Sequence, residues 1–166
     1  MKKLDRLHRV DYSLVLRCIG QDLELRGLKS LEIRPSGAVY VVQCGYQPPP
    51  APMPVSLHYT RSDIEELERA GQEHRGQSLP AKDFVNLVQI LRAIGGYLDK
   101  NEATLVAVSN NESSGTEPLY RVEYQTRDGE HVIDDREGAA IYDMCVSMYK
   151  RRRAIGMVFR RAGGGC

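Results

Sequence analysis

The sequence predicts an α+β protein, with antiparallel strands covered by four helices and built as two similar halves around one core. Three observations carry this expectation. Apolar residues recur at helical spacing in Tyr12, Val15, Leu16, Ile19 and Leu23, and again in Phe84, Leu87, Val88, Leu91, Ile94 and Leu98. Short alternating stretches, such as Leu31/Ile33 and Tyr120/Val122/Tyr124, follow each helical pattern as half-buried strands would. Finally, Leu16-Arg17-Cys18-Ile19-Gly20-Gln21-Asp22-Leu23 returns 75 positions later as Leu91-Arg92-Ala93-Ile94-Gly95-Gly96-Tyr97-Leu98. That return predicts a tandem duplication of a helix–strand–strand–strand–helix unit, spanning residues 1–76 and 77–153, with a flexible basic tail over 154–166.

In the first unit, Asp11 is the expected N-cap and Gly27 the expected stop of the first helix. Strands follow at Ser30–Arg34, at Ala38–Gly45 and at Val55–Thr60. Pro35-Ser36-Gly37 forms the first turn, and Ala38–Gly45, apolar on both sides, takes a central place. The proline-rich run from Pro48 to Pro54 cannot enter a sheet interior and reads as an extended connection. Ser62-Asp63-Ile64-Glu65 reads as a capping box opening a short surface helix to about Gln72.

In the second unit, Asp83 is the expected cap of the periodic helix, and a strand follows over Ala103–Ser109. Asn110–Glu117 reads as a polar loop, and Leu119–Thr126 as a strand with Tyr120, Val122 and Tyr124 inward. Asp128-Gly129 turns the chain into His131–Ile133, and Asp134 or Asp135 is then expected to cap a fourth helix through Ile141, Met144, Cys145 and Met148. The glycines of the repeated motif carry their own expectation. Glycine costs about 1 kcal/mol against alanine inside a helix, so Gly20 and Gly95 mark places where the two helices cross each other or the sheet closely.

A chain of 166 residues can bury a real core, and with no Trp and two Phe its aromatic content is mainly its nine Tyr. Cys18, Cys44, Cys145 and Cys166 form no metal-ligand spacing. With no secretory signal and no spanning apolar run, they read as free thiols of a reducing cytoplasm. His8, His58, His74 and His131 are scattered, so no metal site, cofactor site or catalytic constellation is predicted. The acids from Asp134 to Glu137 fit a helix N-terminus better than a metal cluster. A restriction-type nuclease needs an acid-x-Lys step on a strand. Glu32-Ile33-Arg34 and Glu123-Tyr124-Gln125 both lack the lysine, which excludes that class.

If the helices share one side of the sheet, the other side carries Glu32, Arg34, His58, Thr60, Arg121, Glu123 and Gln125. This exposed polar face, with Glu32, Arg34, His58, Arg121 and Glu123 foremost, predicts a non-enzymatic binding or adaptor module. Its expected partner is another protein or a second copy of the chain. The order of elements is similar to that of secretion-chaperone-like small domains, which bind other proteins, although no motif accompanies the order.

The alternative lies in the charge distribution. Lys150, Arg151, Arg152, Arg153, Arg160 and Arg161 follow the last acid, leaving Met1–Tyr149 with a net charge of −5 in a chain of +1. These residues with Phe159 could grip nucleic-acid phosphates and stack a base. They could also lie on an anionic membrane, or simply form a solvated helix end. An enzyme is the least supported class.

Overall fold

The computed structural model describes residues 10–28, 30–45, 55–72, 86–111, 119–138, 140, 141 and 143. Six strands form one antiparallel sheet: β1 (Ser30–Ser36), β2 (Val39–Gly45), β3 (Val55–Tyr59), β4 (Thr104–Asn111), β5 (Leu119–Gln125) and β6 (His131–Glu137). Their order is β3-β2-β1-β4-β5-β6, so two three-stranded meanders join through their first strands. Ile33 pairs with Val108 at that junction. β2 therefore lies second from one edge, and the centre belongs to β1 and β4. The apolar character of β2 on both sides comes from Val39 and Val41 being only half covered on the outer face.

Three helices are complete among the described residues: α1 (Tyr12–Leu25), α2 (Arg61–Gln72) and α3 (Leu87–Lys100). The expected fourth helix is not seen as such. β6 runs through Glu137, which removes Asp134 and Asp135 from any capping role; of the following segment only residues 138, 140, 141 and 143 are described, as helical. The cause is cross-strand pairing. Asp134 stands opposite Val122 and Asp135 opposite Arg121, so the ladder continues through the acids. Two other caps differ from expectation. α3 is capped by Asn86 in a reciprocal box with Gln89, while Asp83 lies outside the described residues. α2 is capped by Thr60, whose hydroxyl and backbone N–H both bond the Asp63 carboxylate at 2.6 and 2.7 Å. Ser62 and Glu65 thus lie inside the helix, where Glu65 pairs with Arg61.

One hydrophobic cluster joins all three helices to the inner face of the sheet. Leu16, Ile19, Leu23, Leu91 and Leu98 are fully buried within it, each contributing about 1.5–3 kcal/mol of transfer free energy. Tyr120, Val122 and Tyr124 point inward as expected, and Ile141, 1% exposed, belongs to the same core. A bulge between Leu105 and Ala107 turns both Leu105 and Val108 inward and leaves Ala107 opposite Glu123 on the outer side.

α1 and α3 pack antiparallel, and both motif glycines lie at the crossing. A methyl group on Gly20 would stand 3.0 Å from the Val88 Cα, while one on Gly95 would overlap the Tyr12 carbonyl. Each helix also caps the other. The Asp99 carboxylate, in the last turn of α3, accepts the Tyr12 and Ser13 backbone N–H groups at 3.0 and 2.9 Å. Glu24, in the last turn of α1, accepts the Leu87 N–H at 2.7 Å. These carboxylates satisfy donors that a helix N-terminus cannot satisfy itself. Both helices then stop alike. Leu28 N–H bonds the Leu23 carbonyl and Ala103 N–H the Leu98 carbonyl, with left-handed Gly27 and Glu102 before them.

Candidate functional site

With α1, α2 and α3 on one side, the other face of the sheet carries none of these helices. The pairing register arranges it in rows. One row crosses all six strands as Ser56, Gln43, Glu32, Ser109, Arg121 and Asp135. In the next, His58 stands opposite Val41 and Val41 opposite Arg34, while across the bulge Ala107, Glu123 and Ile133 are in line. The middle of the face is therefore made of small side chains, Ala107 and Ser109, flanked by long charged ones.

The two arginines among them, Arg121 and Arg34, are each matched by a carboxylate. Arg121 forms a two-pronged bond to Asp135 at 2.8 and 2.9 Å. The Arg121 guanidinium holds the Asp135 carboxyl below the usual carboxylate range, chiefly through that hydrogen bond. Arg34 pairs with Glu32 at 2.5 Å, and His131 Nε2 lies 3.8 Å from Glu123. Gln43 donates to the Ser56 hydroxyl at 3.2 Å. The face thus offers hydrogen bonds and two compensated ion pairs.

Of the residues predicted for this surface, Glu32 and Arg121 share the first row, and Arg34, His58 and Glu123 fall in the second. Gln125 continues the outer face opposite His131. Thr60 does not belong to it, because it caps α2. His58 and His131 both face outward, but on opposite edge strands, about 24 Å apart at the usual strand spacing. Lys150, Arg151, Arg152, Arg153, Phe159, Arg160 and Arg161 lie outside the described residues. Asp135, Ser109 and Ile133 were missed from the sequence. Asp135 was hidden by its resemblance to a helix cap, and a strand's cross-sheet neighbours cannot be read from its own alternation.

Elsewhere, burial pushes the Cys18 and Cys44 thiols up, keeping them protonated and unreactive. Arg17, half-buried on α1, lies against the Cys18 thiol, and Arg92 is exposed on α3; neither reaches the outer face. Among the described residues no three His, Cys, Asp or Glu side chains gather as metal ligands. Also among these residues, no helix is long and apolar enough to cross a membrane. No protein-family model matches the chain, and neither the curated proteins nor the solved structures yield a match.

Proposed function

We propose that this protein is a binding or adaptor module that docks another protein on the outer face of its sheet. The observation that carries the reading is a six-stranded face whose centre is small and whose two flanking arginines, Arg34 and Arg121, are each paired with a carboxylate of the same face. Such a face loses little on desolvation of unpaired ions and presents a broad, rigid platform. A photo-reactive residue in place of Ser109 should covalently trap one protein in the native cell, while the same probe in place of Arg69, on the solvent side of α2, should not. Equal trapping from both positions would overturn the reading.

A second reading, nucleic-acid binding through Lys150–Arg161, is supported by the charge separation between that segment and the net −5 of Met1–Tyr149. It requires an affinity for mixed-sequence DNA or RNA that falls steeply with salt and disappears on deletion of residues 150–166. Absence of any such affinity at low salt would remove it. We infer a reducing cytoplasm as the compartment, in keeping with the free Cys18 and Cys44.

We also infer that the halves descend from one duplicated unit. The caps Asp11 and Asn86, the glycines Gly20 and Gly95, the carboxylates Glu24 and Asp99 and the left-handed Gly27 and Glu102 all keep the 75-residue spacing. Residues 1–76 and 77–166, expressed together as separate chains, should assemble into a complex with the stability of a folded domain. Failure of the two fragments to associate would count against equivalent units.

A further inference from the structure

The sheet has two edges, and they are not alike. β3 is five residues long, and the sequence before it holds Pro52 and Pro54, which cannot donate to a neighbouring ladder. β6 is seven residues long and free of proline, and among the described residues no strand pairs along its far side. It also carries Ile133, 55% exposed and the only strongly exposed large hydrophobe on the sheet among the described residues. The acids of β6 would ordinarily protect an edge from pairing. Here two of its three acids are neutralised within the chain, Asp134 by Arg136 at 2.7 Å and Asp135 by Arg121, and the third, Glu137, is the last residue of the strand.

We propose that β6 is the dimer interface of this protein, pairing antiparallel with β6 of a second copy about a two-fold axis at Ile133. The axis must stand perpendicular to the sheet for the outer faces to match. Opposed residues must then share a face, which permits only registers centred on a residue. Centred on Ile133, the ladder sets Ile133 against its own copy, Val132 against Asp134, His131 against Asp135 and Glu130 against Arg136. No like charges meet. Centring on Asp134 would oppose two acids, and centring on Val132 would oppose Glu130 and Asp134, each a destabilising pair. The strand is thus self-complementary in one register. The product is a single sheet of twice the width, with both sets of helices on one side and both outer faces continuous.

The experiment uses the full chain with Cys145 and Cys166 changed to Ser. In a directly opposed antiparallel pair the Cβ atoms approach to about 4.5–5.5 Å, close to disulfide reach. Ile133→Cys should therefore give a covalent dimer under mild oxidation, and Ser56→Cys, outward on the β3 edge, should not. Ile133→Asp places two acids on the axis and should weaken the dimer, measured by sedimentation equilibrium, by at least about tenfold. Ile133→Asp also stands opposite Glu123 of β5, so its circular dichroism spectrum, not its melting point, checks that it still folds. Ile133→Lys, which faces Glu123 favourably but sets two lysines on the axis, should weaken the dimer likewise. A wild-type chain that sediments as a monomer at its highest soluble concentration overturns the proposal, leaving β6 for an extended segment of a different protein. A dimer that survives Ile133→Asp unchanged, or that cross-links through Ser56→Cys instead, overturns it equally.

Discussion

At the start of α1, two backbone N–H groups donate to the two oxygens of Asp99; at the start of α3, one donates to Glu24. The Asp99 site is partly buried, and burial pushes its carboxyl up against the pull of both N–H groups. The Glu24 site is exposed to water. The glycines are unequal in the same sense. Gly95 leaves no room above the Tyr12–Ser13 backbone, whereas Gly20 faces Val88 Cα at 3.0 Å and the terminal methyl of Leu91 at 3.1 Å. One packing device is thus present at both ends of the helix pair, tight where the second half holds the first and looser where the first holds the second. Local opening should begin at the looser end, so amide exchange at Leu87–Gln89 should outpace that at Tyr12–Leu14.

Substitution at the two glycines tests this difference most severely. Gly95→Ala must separate the helix backbones, and should cost about 3 kcal/mol or more in urea unfolding. Gly20→Ala needs a shift of a few tenths of an ångström, and the gain in helix propensity offsets part of it, leaving a loss of about 1 kcal/mol. Equal losses would dissolve the distinction. Removal of the capping carboxylates should follow the same order at smaller scale: about 2 kcal/mol for Asp99→Ala, and about 0.5 kcal/mol for Glu24→Ala.

The outer ends of the halves differ in chemistry as well. Tyr59 donates its hydroxyl to Asp22 at 2.7 Å, and Asp22 also holds Arg26. The corresponding corner of the second half has Tyr97 and Tyr124 sharing a hydroxyl contact at 3.2 Å, with Arg136 over the Tyr97 ring. A charge-assisted bond exceeds a neutral one, so Tyr59→Phe should cost about 1.5 kcal/mol and Tyr124→Phe about 0.5 kcal/mol.

Alkali reports on the same groups. Burial pushes Tyr40 to about 12 and raises Tyr59 further, while the Tyr97 hydroxyl bond brings Tyr124 to about 12. Raised folded-state values mean stability that is complete below the free tyrosine value of 10. It is lost as pH climbs from 10 through 12, because only the unfolded chain ionises freely. Urea midpoints should therefore fall across that interval, and Tyr59→Phe should flatten the fall more than Tyr124→Phe.

The helices and the inward strand faces were legible because burial imposes a period on the residues themselves: Leu16, Ile19, Leu91 and Leu98 could only be core. The glycine crossing was legible too, since Gly20 and Gly95 break helix propensity at matching places. What escaped was set by partners distant in sequence. Asp134 and Asp135 look like a helix start until Arg121 is placed opposite them. Nothing local distinguishes Thr60 from Ser62 as the α2 cap, because both precede an acid by three residues. Alternation puts Glu32, Arg34, His58, Arg121, Glu123 and Gln125 on one side of their own strands, but the rows that join them, and the neighbours Ser109, Ile133 and Asp135, follow from register, and register depends on the pairing of whole strands.

At the helix stops the difference reverses direction. Gly27 and Glu102 occupy the same left-handed position, with φ of 71° and 54°. Glycine adopts that conformation without strain, while a residue with a Cβ does so at a cost of about 1 kcal/mol. Gly27→Ala should therefore lose about 1 kcal/mol, and nothing within 4 Å of its added methyl would supply a contact in return. Glu102→Gly should gain a little less than that, because the change also gives up the exposed pair between Glu102 and Arg127 at 3.1 Å. If Glu102→Gly instead destabilised the protein, the Arg127 pair would outweigh the backbone strain. The second half would then hold its helix end by an ion pair where the first half uses a glycine.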